Sequence, residues 1–92
     1  SASLPAVCRR GRHLPAGSDE VATLTVWPQE PATSVTAIIT HGDGICGAAV
    51  QRTDGAWEIT VSPPPTVGSA RIEVLIDGQP LAIRPRLWWD AP

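Results

Sequence analysis

The sequence contains no phenylalanine, tyrosine, methionine or lysine. A hydrophobic core must therefore come from valine, isoleucine, leucine, alanine and the four tryptophans. Because valine and isoleucine favour pleated, half-buried surfaces, this composition favours β-strands. Long helices are disfavoured, since ten prolines and eight glycines interrupt a chain of 92 residues.

An excess of basic charge is also lacking. All seven basic residues are arginine, there are nine acidic residues, and the net charge is −2. A general electrostatic nucleic-acid binder usually has a clear basic excess, so we expect no nucleic-acid partner. No apolar run approaches the ~20 residues that span a bilayer, so we expect no membrane insertion.

The length fits one small domain over residues 1–92. The chain starts abruptly at Ser1, stops at Pro92, and shows no charged and then apolar signal segment at its start. We therefore expect a domain excised from a larger multidomain protein.

Turn-forming residues recur at short intervals, for example at Asp54-Gly55 and Asp77-Gly78. The runs between them have strand length, and residues 69–76 alternate apolar and polar side chains most clearly. Asp77-Gly78 predicts a type I′ hairpin turn, which needs positive φ at both central residues. Short strands at this spacing predict a sandwich or a barrel. Seven strands are predicted, at residues 4–8, 20–27, 34–40, 45–51, 56–61, 69–76 and 80–89.

The second half of the chain resembles the filamin and bacterial invasin/intimin immunoglobulin-like repeats. In residues 54–61 an Asp-Gly pair precedes an aromatic strand, and Pro63, Pro65 and Gly68 then form a Pro…Gly corner. An alternating Ile/Val strand, a glycine turn and a last strand follow over residues 70–81. The resemblance covers about half of the chain well and the first 40 residues loosely.

This resemblance implies an all-β fold, a seven-stranded immunoglobulin-like β-sandwich. It also implies a non-catalytic function, which could be spacing, adhesion, or acceptance of a partner strand at an exposed sheet edge. The paired cysteines depart from the family pattern. So does the final strand, which carries Arg84, Arg86, Trp88 and Trp89.

Cys8 and Cys46 are the only cysteines. An even count in a small domain predicts one disulfide and an oxidising compartment, so a secreted or cell-surface location is expected. In a meander of alternating strands both residues fall at the same end of the sandwich, which makes the bridge geometrically reasonable. The alternative is two buried free thiols in a cytosolic domain.

The same end collects the candidate binding residues. Trp88 and Trp89 point to opposite faces of a regular strand, so at least one is expected to be exposed; it could stack on a sugar or anchor a protein. Both could instead cover the core or contact a neighbouring domain. Arginines in this region could hold an anion or form a solvated loop, and Arg84 and Arg86 are expected to pair with Glu73 or Asp77. The candidate binding residues are Arg9, Arg10, Arg12, His41, Trp88 and Trp89.

The sequence gives little support for catalysis. It has no Gly-x-Ser-x-Gly elbow, and His13, His41 and Asp43 have no metal-ligand spacing. We therefore predict no enzyme, no metal and no cofactor. The favoured function is an adhesion or spacer module that contacts a protein partner or a neighbouring domain. The alternatives are a carbohydrate-binding accessory domain of a secreted hydrolase, with Trp88 or Trp89 on the sugar, and a filamin-like scaffold that binds peptides along its third and fourth strands.

Overall fold

The computed structural model describes residues 6–10 and 13–92, with the side chains of Val7 and of residues 13–92. The described residues form ten β-strands. The strands are β1 (Ala6–Arg10), β2 (His13–Pro15), β3 (Ala22–Trp27), β4 (Val35–His41), β5 (Ile45–Cys46), β6 (Val50–Gln51), β7 (Trp57–Ser62), β8 (Gly68–Ile76), β9 (Gln79–Pro80) and β10 (Arg86–Asp90).

These strands form two sheets that face each other across one core. The first sheet has the order β1-β3-β7-β5, with β6 also paired to β7. The second has the order β2-β10-β8-β4, with β9 also paired to β8. Neighbours are antiparallel except for β2, which runs parallel to β10. The predicted all-β, immunoglobulin-like sandwich is confirmed.

The structure has more strands than the seven predicted. The predicted strand over 45–51 is interrupted into β5 and β6, and the predicted last strand is interrupted into β9 and β10. A third addition is β2, which follows β1 but joins the other sheet. The interruptions leave the pairing of β3 with β7 and of β8 with β10 intact, so the fold class is unchanged.

The core is built from side chains that alternate along the central strands. Ten inward residues of β3, β7, β8 and β10 are at most 1% exposed, and Trp57 and Ile76 at strand ends are partly buried against them. The described part of the chain has no buried polar or charged residue. Burial of apolar surface is therefore the main force that joins the two sheets. The largest of these buried side chains are Trp89, Leu24, Ile59, Ile72 and Leu87.

The predicted turn between β8 and β9 is confirmed by its backbone. Asp77 and Gly78 have φ values of 49° and 82°, as a type I′ turn requires. The Asp77 carboxylate also accepts hydrogen bonds from the backbone N–H groups of Thr33 at 2.9 Å and Ser34 at 2.8 Å. The hairpin therefore fastens the loop before β4 as well as reversing the chain.

The described residues include no helix of the length and apolarity needed to cross a membrane.

Candidate functional site

The loops that were predicted to share one end of the sandwich do lie together. The backbone N–H of Gly17 donates to the carbonyl of Pro64 at 2.7 Å, and that of Ala16 donates to Asp90 at 2.8 Å. The indole Nε1 of Trp89 donates to the carbonyl of Asp43 at 2.8 Å. Loops after β2, β4 and β7 therefore meet near the end of β10.

The two adjacent tryptophans face opposite sides of β10, as predicted. Trp89 is 1% exposed and belongs to the core, whereas Trp88 is 37% exposed on the outer face of the second sheet. The expectation that Trp89 binds a ligand is therefore wrong, because its ring is buried and its N–H holds the loop after β4. Trp88 is therefore the partly exposed member of the pair.

The predicted Cys8–Cys46 disulfide is wrong. Cys8 pairs with Thr25 of β3, Cys46 pairs with Val61 of β7, and strands β3 and β7 both lie between the two cysteines. Three strand spacings of ~4.8 Å separate their backbones by about 14 Å, beyond the ~7 Å that a disulfide spans. The Cys8 side chain lies outside the described residues, and Cys46 is a free, half-buried thiol. Desolvation by burial raises the pKa of that thiol.

Arg9 and Arg10 lie in a strand and not in the expected loop. Arg9 and Arg10 belong to β1, opposite Leu24 and Thr23 of β3. Their side chains, and the whole of Arg12, lie outside the described residues.

The remaining predicted residue, His41, lies at the end of a row of basic side chains on the outer face of the second sheet. Arg86 of β10 lies directly opposite Arg71 of β8, and Arg71 lies opposite His41 of β4. The register shifts between Ile39 and His41, and this irregularity places His41 beside Arg71. We call Arg86, Arg71 and His41 the cationic row.

A hollow of about 360 Å³ lies over the cationic row. Ser69 and Arg84 complete its lining, which contains no carboxylate. Arg84 is partly neutralised, because it forms the predicted ion pair with Glu73 at 3.4 Å. The hollow is thus a polar, electropositive surface on the middle of a sheet.

Arg71 occupies an unfavourable position in the cationic row. Its Nε is buried and has no hydrogen-bond partner in the described structure. Like charges directly opposite one another on a sheet are destabilising, and Arg71 faces Arg86 in this way. A buried N–H without a partner adds a further cost of about 1–3 kcal/mol.

Trp88 lies beside the cationic row and packs against Arg86, one of its three residues. The guanidinium carbon of Arg86 lies 5.3 Å from the centroid of the Trp88 ring. The His13 ring stacks on Trp88 at 6.0 Å, and His13 Nδ1 contacts a carboxylate oxygen of Asp90 at 3.2 Å. These contacts restrict the Arg86 side chain, which lowers the entropy that a ligand must remove.

A second concave surface lies between the two sheets at their open edge. It has a volume of about 440 Å³ and is lined by residues 33–37, residues 46–49 and Trp57. Strand β4 is the outermost strand of its sheet on this side. The indole Nε1 of Trp57 is buried without a hydrogen-bond partner in the described structure.

Sequence reasoning missed Arg71 and Ser69. Neither was singled out from the other residues of the predicted strand over 69–76. Their importance follows from the pairing of that strand with β4 and β10, which brings Arg71 between Arg86 and His41. In the sequence, the only indication of the cationic row was that Arg71 and Arg86 are outward residues of two strands that were expected to be neighbours.

No protein-family model matches the sequence, and no curated protein matches it. The fold, however, is shared with solved structures, and these support a filamin/invasin-like, immunoglobulin-like fold. InvD of Yersinia pseudotuberculosis superposes with a TM-score of 0.74 at 18% identity, over 97% of this chain. The Escherichia coli adhesin FdeC gives a TM-score of 0.76 at 20% identity, over 99% of this chain. The Lin-41 filamin domain gives 0.69 at 13% identity, over 100% of this chain and 97% of its own.

The chain spans 28% of the InvD chain and 32% of the FdeC chain. At these identities the similarity establishes the fold, and the activities of the larger proteins do not follow from it. The predicted resemblance to filamin and invasin repeats is confirmed at the level of the fold.

Proposed function

We propose that this domain is a non-catalytic adhesion or spacer module of a multidomain protein that is secreted or displayed at the cell surface. One geometric observation carries the proposal: the described chain enters and leaves at opposite ends of the sandwich. Ala6, at the start of β1, pairs with Trp27 at the end of β3, whereas Asp90 pairs with Pro15 near the loops that meet Trp89. Modules with this arrangement can be joined end to end.

The dimensions of the sandwich support the same role. The longest principal extent is 43 Å, against 25 Å and 19 Å in the other directions. A joined module would therefore extend a protein by several nanometres. The similarity to InvD and FdeC, of which this chain spans only 28% and 32%, is consistent with such an arrangement.

Location is tested on intact source cells with a protease and with an antibody against the domain. We expect cleavage and antibody binding without lysis. Protection of the domain until the cells are lysed would contradict the proposal.

The spacer and adhesion roles are separated by replacing the domain, in its full-length protein, with a filamin-type sandwich of equal length. If the domain is a spacer, attachment of the cells to a host surface is retained. If the domain makes the contact itself, attachment is lost although the protein is displayed at the same level. Unchanged attachment after complete deletion of the domain would contradict both roles.

A second candidate function is peptide binding by strand addition along β4. It is favoured by the concave surface beside β4, where an outermost strand lies next to the unpartnered Nε1 of Trp57. An extended peptide could pair with the free side of β4 and place a side chain in this groove.

A further inference from the structure

The outer face of the second sheet concentrates positive charge in a chain whose net charge is −2. The arginines with described side chains are Arg52, Arg71, Arg84 and Arg86, and all except Arg52 line the hollow over the cationic row. His41 lines it as well. Arg52 lies outside the hollow, where it makes ion pairs with Asp54 at 2.8 Å and Glu58 at 3.4 Å. The positive charge is therefore concentrated locally, at the hollow.

The placement of Arg71 is unfavourable in the absence of an anion. Arg71 lies between Arg86 and His41, its Nε is buried without a partner, and no described carboxylate pairs with it. An anion in the hollow would pair with the Arg71 guanidinium and would screen the repulsion between Arg71 and Arg86. A single ligand group would therefore offset the unfavourable placement of Arg71.

Several contacts hold the row in position before any ligand arrives. Trp88 packs against the Arg86 guanidinium, and the Thr40 hydroxyl donates to the Arg71 carbonyl at 3.2 Å. The chain after His41 is tight, because Gly42 lies so close to β8 that a Cβ there would come within 1.9 Å of the Ser69 carbonyl oxygen. The hollow therefore has a defined shape.

The lining also restricts the class of ligand. Strand β8 pairs with β4 on one side and β10 on the other, so a peptide cannot join the sheet at the row. The lining has no apolar side chain to anchor a peptide, only guanidinium, imidazole and hydroxyl groups. Guanidinium forks match carboxylate and sulfate oxygens, and the Ser69 hydroxyl and His41 ring suit the hydroxyls of a sugar.

We propose that the hollow over the cationic row binds an acidic saccharide, with Arg71 and Arg86 holding its carboxylate or sulfate group and Ser69 and His41 bonding adjacent hydroxyls. This inference goes beyond the proposed adhesion or spacer role. It concerns binding by the 92-residue chain itself, so its failure and the failure of the surface-location test are separate results.

The test measures binding of three tetrasaccharides to the purified chain by calorimetry at low ionic strength, where charge contacts are least screened. Heparin tetrasaccharide carries sulfate and carboxylate groups, hyaluronan tetrasaccharide carries carboxylates only, and chitotetraose carries no charge. We expect binding of one or both acidic probes that weakens as salt is added, and no binding of chitotetraose. Equal binding of chitotetraose, or no binding of any probe, would overturn the proposal.

Substitutions of single arginines test whether binding occurs at the cationic row, and a substitution outside the hollow serves as the matched control. Arg71→Gln and Arg86→Gln are expected to weaken binding by about tenfold or more, since each removes a charge-assisted bond. Arg52→Gln removes the same charge from outside the hollow and is expected to leave the affinity unchanged. Equal weakening by all three variants would show a response to net charge alone and would overturn the site.

Two further measurements keep the test decisive. Thermal unfolding identifies any variant that fails to fold, and Arg86→Gln, on the neighbouring strand β10, decides the result if Arg71→Gln is unfolded. Arg71→Lys keeps the charge but removes the guanidinium fork, so we expect an affinity between those of the native chain and Arg71→Gln. Tighter binding of poly-glutamate or of a single-stranded oligonucleotide than of either acidic saccharide would overturn the ligand class.

Discussion

At the residue scale, Gly42 shows how one position shapes the candidate site. Its φ is +83° and the site of a Cβ is occupied by the Ser69 carbonyl, so two separate constraints exclude a side chain. Gly78 has almost the same φ, +82°, with nothing near its missing Cβ. The two glycines therefore form a matched pair that separates backbone strain from steric conflict.

We expect Gly78→Ala to lower the free energy of unfolding by about 1–3 kcal/mol, the cost of a left-handed backbone without glycine. Gly42→Ala should lower it by a further 1–3 kcal/mol, about the cost of overpacking. Urea unfolding of both variants measures the difference. Equal stability of the two variants would show that β8 moves away from residue 42 without cost.

Cys46 provides a pH-dependent prediction. Burial raises the pKa of its thiol above the value in the unfolded chain, so folding favours the protonated form. Its contribution to stability is therefore present below pH ~8.5, the usual thiol pKa, and is lost as the pH rises through the folded value.

Only the thiolate reacts with iodoacetamide. We expect the peptide that contains Cys46 to be alkylated more slowly in the folded chain at pH 8 than in urea, with a rate that rises at higher pH. Mass spectrometry of that peptide follows the reaction. Equal rates in the folded and unfolded chain would contradict the burial of this thiol.

At the scale of elements, the β8–β9 hairpin joins two loops through one side chain. Asp77→Ala should lower the free energy of unfolding by about 1–3 kcal/mol, because the N–H groups of Thr33 and Ser34 lose their acceptor. Asp77→Asn keeps an acceptor oxygen and tolerates positive φ, so its effect should be smaller. Thermal or urea unfolding measures both. A loss with Asn as large as that with Ala would contradict the hydrogen-bonding role.

The sequence was informative about elements whose pairing is local. The alternation over residues 69–76 and the Asp77-Gly78 turn gave β8 and its hairpin, because local backbone preferences determine both. The disulfide prediction failed because it depended on the order of the strands in the sheet, which the sequence did not reveal. Strand β1 pairs at one edge of its sheet and β5 at the other, and this order is a property of long-range packing.

The sites show the same division between local and long-range information. Alternation along β10 predicted that Trp88 and Trp89 face opposite sides, but not which of them is buried. His41 was expected among end loops, whereas an irregularity in β4 places it beside Arg71. The cationic row requires the register of β4, β8 and β10, which depends on the fit of the whole core and could not be predicted from local sequence.

At the scale of the whole molecule, the two surfaces proposed above as ligand sites lie apart on the described sandwich. The cationic row lies on the outer face of the second sheet, and the groove beside β4 lies at the open edge between the sheets. The first surface is polar and positively charged, whereas the second offers a strand edge and the Trp57 ring. The two surfaces therefore predict chemically different ligands and can be distinguished in a single experiment.

The most direct test is an NMR titration of the ¹⁵N-labelled chain with heparin tetrasaccharide, following each backbone amide. We predict saturable shifts at Ser69, Arg71 and Arg86 and around His41, while the amides near Arg52 and in the groove beside β4 remain unchanged. Shifts confined to β4 and residues 46–49, or spread evenly over all exposed basic residues, would contradict a ligand site on the cationic row.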